Sequence, residues 1–159
     1  MLTKLWHYNL TIISFSAIVL GAFSAHAENW ALLVAVDDYK YISPDLRFCK
    51  SDAERMKAAL TRIEPGGFKE ENIKLLSNSE VTKKNLKRTF KTWLIDNVKP
   101  GDKAIFYFSG HGVQMRNPNA VEEEDGNDEL LCLYDSFRHS YTFLRDNELG
   151  SWMDQVNID

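Results

Sequence analysis

The chain is short of the residues on which whole classes of protein depend. Among 159 residues there are two cysteines, Cys49 and Cys132, too few for a disulfide-stapled scaffold. Export would permit one bond between them, but sequence spacing does not say whether their Cα atoms come within reach. Basic residues are outnumbered, 19 Lys and Arg against 23 Asp and Glu, for a formal net charge of −4. No basic stripe is present and the densest charge is acidic, so nucleic acid is not an expected partner. Past residue 27 no apolar run approaches the roughly 20 residues that span a bilayer. Internal repeats and low-complexity linkers are also missing.

What is there begins with a leader. Residues 1–27 have Lys4 near the start, an uncharged apolar stretch from about Leu10 to Phe23, and Ser24-Ala25-His26-Ala27 at the end. A basic start, a short apolar middle and a small-x-small end make up a secretory signal peptide. The alternative is an uncleaved N-terminal anchor. On the first reading the protein is exported, periplasmic or extracellular, with no membrane attachment after cleavage. Residues 28–159 then form one domain, long enough to bury a core.

The elements alternate. Trp30–Val36 is an unbroken apolar run, the mark of a strand buried on both faces. It stops at Asp37-Asp38, and a loop from Tyr39 to Phe48 follows, with Ser43-Pro44-Asp45 as a turn signal. Ser51 and Glu54 have capping-box spacing at the start of a helix whose apolar face is Ala53, Met56, Leu60 and Ile63. Pro65-Gly66-Gly67 ends it. Asn72–Leu76 reads as a second strand. Thr82 caps a second helix, with Leu86, Phe90, Trp93, Leu94 and Val98 buried and Pro100-Gly101 as its stop. Ala104–Phe108 is the third strand, so the order is βαβαβ, which predicts a parallel sheet with right-handed crossovers.

That third strand ends in Ser109-Gly110-His111-Gly112, where two glycines let the backbone turn sharply and leave the histidine unobstructed. Ligands in open α/β sheets bind beyond the carboxyl ends of the strands. Two readings of His111 stand: a general base, or a turn histidine that merely tolerates an unusual φ. No helix follows the glycines. Instead come Val113–Ala120 and the acidic run Glu122–Glu129, with six carboxylates, which argues against a phosphate-binding loop. Leu130–Tyr134 reads as a further strand. Asp146 reads as the N-cap of a last helix that buries Leu149, Trp152, Met153 and Val156.

Phe106–Gly112, then Gln114, then Glu124-Asp125-Gly126-Asn127-Asp128-Glu129 resemble the metacaspase branch of the caspase-like cysteine peptidases. Leu32–Val36, Cys49-Lys50-Ser51-Asp52-Ala53, Gly101-Asp102 and Asp146-Asn147-Glu148-Leu149 agree with that family in order and spacing, so the resemblance runs from Trp30 to Asp159. It implies a caspase-like three-layer α/β fold with a mostly parallel central sheet, cut short before the strand that carries the nucleophile. It implies a cysteine endopeptidase using a Cys-His dyad on peptide or protein substrates, cutting after Arg or Lys. His111 matches the dyad histidine, Gly112 offers a backbone N–H to the oxyanion, and Asp52 matches a position associated with a pocket for basic residues. Asp128, Asp146 and Asn147 match positions at which calcium-dependent members bind the ion. Asn147 there replaces a carboxylate. None of these residues fixes an oligomeric state.

The resemblance places the nucleophile about 50 residues beyond the histidine, in a turn after another apolar strand, and no such turn occurs before Asp159. Neither Cys49, beside a helix start, nor Cys132, inside an apolar run, falls in an exposed glycine-rich turn. The chain alone is therefore expected to be inactive. The alternatives are an inactive binding or regulatory homologue, and a metal-dependent hydrolase using His111 and the acidic run. The last wants a second histidine at ligand spacing, which His139 does not have.

Overall fold

Alternation along two strands, β1 (Asn29–Ala35) and β3 (Lys103–Ser109), divides the molecule into layers. Successive side chains of a strand point to opposite faces, and here both faces are covered. Leu32, Val34, Phe106 and Phe108 enter one apolar cluster; Ala31, Leu33, Ala35 and Tyr107 enter another. The structure is a computed structural model and describes residues 27–63, 65–116 and 127–156. The signal-peptide reading, Ala27 apart, lies outside the described residues, as do residues 117–126 with most of the acidic run.

β1 is central, pairing in parallel with β2 (Ile73–Ser77) on one side and β3 on the other. Helix α1 (Cys49–Thr61) links β1 to β2, and α2 (Lys83–Phe90) links β2 to β3. The helices cover opposite faces. Ala53 and Leu60 of α1 pack with Ala31 and Ala35, while Leu86 and Phe90 of α2 pack with Phe106 and Phe108. This is the parallel sheet that the βαβαβ order predicts, in the three-layer caspase-like α/β arrangement that the resemblance implies.

The rest of the chain adds to the α2 side. β4 (Gly112–Arg116), β5 (Asn127–Leu131) and β6 (Leu144–Arg145) form an antiparallel sheet, followed by α3 (Asp146–Met153). Leu130, Leu131, Leu144, Leu149 and Trp152 are buried in the α2-side cluster. The Phe90 ring lies 5.7 Å from Phe106 and 5.6 Å from Trp152, joining the central sheet to α3. Among the described residues no helix is long and apolar enough to cross a membrane.

Several local expectations shift, each for a physical reason. α1 begins at Cys49, so Ser51 lies inside the helix, and its hydroxyl donates back to Phe48 O at 2.9 Å instead of closing a box with Glu54. The cap comes from the end of β1: Asp37 accepts from Cys49 N at 2.7 Å and from Lys50 N at 2.9 Å. A carboxylate there satisfies two free N–H groups and complements the helix dipole. Ile63 lies past α1 and is exposed. Thr82 does cap α2, accepting from Asn85 N at 3.3 Å. However, α2 passes into a π-turn at Lys91–Ile95 and ends before Pro100. Leu86, Phe90, Leu94 and Val98 recur every four residues, which outruns a 3.6-residue turn; the wider i→i+5 turn takes up the excess. Trp93 turns instead to the sheet, where its Nε1 donates to Ala31 O at 2.9 Å.

The strand expected at Leu130–Tyr134 runs from Asn127 to Leu131. Leu133 N donates to Ser136 Oγ at 2.7 Å, which takes the backbone out of the ladder and into a turn. Asp128 and Glu129 are therefore strand residues. Asp146 is the first residue of α3 and Arg145 its N-cap. Leu149, Trp152 and Val156 are buried as expected, with Met153 half-buried.

Asp37→Ala would leave the first two α1 N–H groups without their carboxylate. It is expected to cost about 2 kcal/mol of unfolding free energy, read from urea denaturation at an unchanged m value. Asp38→Ala, at an exposed neighbour, is expected to stay within about 0.5 kcal/mol of the parent.

Candidate active site

The site is built where β3 ends. Val36 N donates to Ser109 O at 2.9 Å, extending the β1–β3 ladder to the last residue of the strand. The chain then crosses to β4 through Gly110 and His111. His111 is held by its backbone on both sides: its N–H donates to Tyr39 Oη at 2.7 Å, and its carbonyl accepts from Cys132 N at 2.9 Å. Its ring lies 5.0 Å from the Tyr39 ring at 43°. Nε2 is buried with no hydrogen-bond partner among the described residues. A half-buried imidazole with a fixed backbone and a free ring nitrogen is suited to proton transfer.

The glycines work differently from the sequence expectation. Neither Gly110 nor Gly112 has a positive φ, so the turn needs no left-handed residue and His111 is in ordinary backbone. Gly110 is required for space. A Cβ there would lie 2.6 Å from Tyr39 Oη and 2.8 Å from the Phe108 ring. Gly112 opens β4 opposite Leu131.

A second group of polar atoms gathers on the α1 face. Asp52, in the first turn of α1, is half-buried and pairs with the largely exposed Arg55 at 3.3 Å, a contact of the weak surface kind. Burial raises the Tyr107 phenol; the Ser109 hydroxyl opposes this, and the Asp52 carboxylate adds to it. Burial likewise raises the Cys49 thiol, opposed by Ser109 and reinforced by Asp37 and Asp52. Ser109 Oγ is buried and lies against the Tyr107 hydroxyl and the Cys49 thiol. Asp52, Cys49, Tyr107 and Ser109 are thus neighbours at the carboxyl edge of the sheet. A half-buried carboxylate held only by a weak pair suits a cationic side chain. Sequence reading found Asp52 but missed Ser109 and Tyr39. Ser109 follows from the strand period, which puts it on the same face as Tyr107. Nothing in the sequence linked Tyr39 to His111.

The two thiols are free and buried. Cys49 belongs to the α1-side cluster and Cys132 to the α2-side cluster, so the central sheet separates them. Burial pushes the Cys132 thiol up to about 12. Burial moves both thiols away from the lowered pKa of a reactive thiolate.

Asp128 lies on β5, and Asp146 and Asn147 open α3 directly after β6, whose Arg145 faces Leu130 of β5. Asp128 is buried and its Oδ2 lies 2.8 Å from Arg145 Nη1. Asp146 Oδ1 is buried without a hydrogen-bond partner among the described residues, and Asn147 is exposed. Among the described residues no group of three His, Cys, Asp or Glu is placed to hold a metal ion. His139 is exposed and stacked on Tyr141 at 5.0 Å.

Comparison with known proteins bears on this arrangement. A family model described as metacaspase, peptidase C14 domain, matches residues 29–157. Metacaspase-3 of Arabidopsis thaliana is 36% identical over 118 residues, covering 70% of this chain and 31% of that protein. Metacaspase-6 of the same plant is 31% identical over 134 residues, covering 81% and 34%. Metacaspase-1 of Ajellomyces capsulatus is 33% identical over 107 residues, covering 64% and 29%. The chain spans about a third of the length of these curated relatives. A crystal structure of a Geobacter sulfurreducens protein superposes with a TM-score of 0.64 at 24% identity, over 82% of this chain and 46% of that one, a likeness of fold.

Proposed function

The chain belongs to the metacaspase family of peptidase C14 domains, and from that premise we propose that it is the histidine-bearing part of a cysteine endopeptidase that cuts after Arg or Lys. The observation that carries this reading is His111: backbone bonded on both sides, Nε2 buried and unpartnered, at the carboxyl end of the central sheet. In a Cys-His dyad the thiolate adds to the scissile carbonyl carbon, and the C–N bond breaks as the imidazolium gives its proton to the leaving amine. Water then attacks the thioester, with the imidazole taking its proton, and releases the acid and the thiol. His111 takes the imidazole role. The Gly112 N–H serves the oxyanion. Asp52, exchanging Arg55 for the substrate, binds the basic side chain, with Ser109 as a hydrogen-bond partner. On this reading the nucleophile is a cysteine other than Cys49 and Cys132, both of which are buried and neither of which lies in an exposed glycine-rich turn.

The test uses one fluorogenic Arg peptide. Residues 1–159 alone are expected to give no turnover, and a longer chain that supplies an Asp-x-Cys turn is expected to cleave. In that longer chain His111→Ala should lower kcat by roughly 10²–10⁴, and Asp52→Asn should raise KM for Arg while sparing folding. Undiminished cleavage by His111→Ala would remove the dyad. Cleavage by the short chain that disappears in Cys49→Ala would give the nucleophile to Cys49. No turnover by any chain would favour an inactive binding homologue.

A second reading concerns calcium, and the orphaned Asp146 Oδ1 favours it. Asp128, Asp146 and Asn147 would hold the ion, which when bound supplies positive charge between β5 and α3. Their oxygens fall short of the 6–8 ligands calcium takes, and Arg145 already sits on Asp128, so binding is weak and competes with that guanidinium. Calorimetry with calcium chloride is expected to show heats that fall in Asp128→Ala and rise in Arg145→Ala. Identical heats in all three proteins would leave Arg145 as the partner of Asp128.

A further inference from the structure

The geometry points to Tyr39 as a positioning residue for His111, a role carried by its hydroxyl; this rests on the reading of His111 as the dyad histidine. Tyr39 is buried at 5% exposure among the apolar side chains of the α2-side cluster. A buried hydroxyl is costly unless it is bonded, and in that cluster phenylalanine would pack the same ring at no such cost. The oxygen meets the backbone N–H of His111 at 2.7 Å. Burial raises the phenol, so it stays un-ionised through neutral pH.

Two further features converge on the same contact. Gly110 lacks the Cβ that would sit 2.6 Å from Oη, so the residue before the histidine is cut back to admit the hydroxyl. The Tyr39 ring also flanks the imidazole, with centroids 5.0 Å apart. Tyr39 is itself fixed: its N–H donates to Asp45 Oδ1 at 3.3 Å, and the next residue, Lys40, donates to Tyr134 O at 3.0 Å. With Cys132 N on the His111 carbonyl at 2.9 Å, the hydroxyl closes the second of two backbone anchors. Only the side-chain torsions of His111 then remain to aim Nε2, and the flanking ring limits those. Misplacing a reacting group by about 1 Å can cost on the order of a hundredfold in rate, which gives an anchor at this residue a catalytic consequence.

The test is NMR on the 159-residue chain and needs no turnover. In Tyr39→Phe the His111 amide is expected to exchange with deuterium roughly tenfold faster, as suits loss of one hydrogen bond. The His111 imidazole signals should shift, while the Leu33 amide in the sheet centre keeps its wild-type rate. Gly110→Ala, which forces Oη away, is expected to give the same His111 signature and guards against Tyr39→Phe failing to fold. Wild-type amide exchange and imidazole signals at His111 in both variants would overturn the proposal. So would equal acceleration at His111 and Leu33, which would make Tyr39 a general stability element. Failure of the dyad reading would appear separately, as full turnover in His111→Ala of the longer chain, and would leave these signals unchanged.

Discussion

Asp37 is the residue on which the geometry of this domain converges. Its carboxylate accepts from Cys49 N and Lys50 N, its carbonyl accepts from Leu46 N at 2.9 Å, and its N–H donates to Asn78 Oδ1 at 2.9 Å. One side chain thereby ties the end of β1 to the start of α1, while its backbone closes the intervening loop and reaches the turn after β2. Asn78 takes a positive φ of 47° there and also accepts from Asp38 N. The consequence reaches the site. The orientation of α1 decides where Asp52 and Cys49 lie relative to Ser109, and the loop that Asp37 closes carries Tyr39.

The central sheet was legible because its signal is dense. Two apolar runs, Trp30–Val36 and Ala104–Phe108, carry no charge, and only burial on both faces accommodates that. Helix starts were harder to read, since local sequence shows only local caps. Ser51 and Glu54 have the spacing of a capping box, yet a carboxylate from β1 already occupies the first-turn N–H groups. A cap supplied across twelve residues leaves no periodic trace. The π-turn is similar: the four-residue spacing of Leu86, Phe90, Leu94 and Val98 is visible, but its departure from 3.6 was absorbed into an ordinary helix.

At the site, the sequence showed the groups to which chemistry is assigned in the proposal and hid those that hold them. His111 between glycines stands out, and Asp52 follows from a family resemblance. Tyr39 and Cys132, which bond the His111 backbone, lie 72 residues upstream and in a later segment; only the fold brings them together. Gly110 shows the limit of composition as a guide. A glycine suggests a positive φ, but here it makes room for a phenol. The central sheet likewise separates Cys49 from Cys132, something spacing could not reveal.

The central claim is that His111 and Asp52 face one substrate, the first at the scissile bond and the second at the basic side chain before it. The most direct test is a crystal structure of a longer, cysteine-bearing chain with a peptidyl-Arg aldehyde, which forms a thiohemiacetal with a nucleophilic thiol. The account predicts the Arg guanidinium on the Asp52 carboxylate, Arg55 displaced from it, and His111 Nε2 within hydrogen-bond distance of the trapped group. An Arg side chain bound elsewhere, with Asp52 still on Arg55 and His111 Nε2 turned away from the adduct, would contradict it.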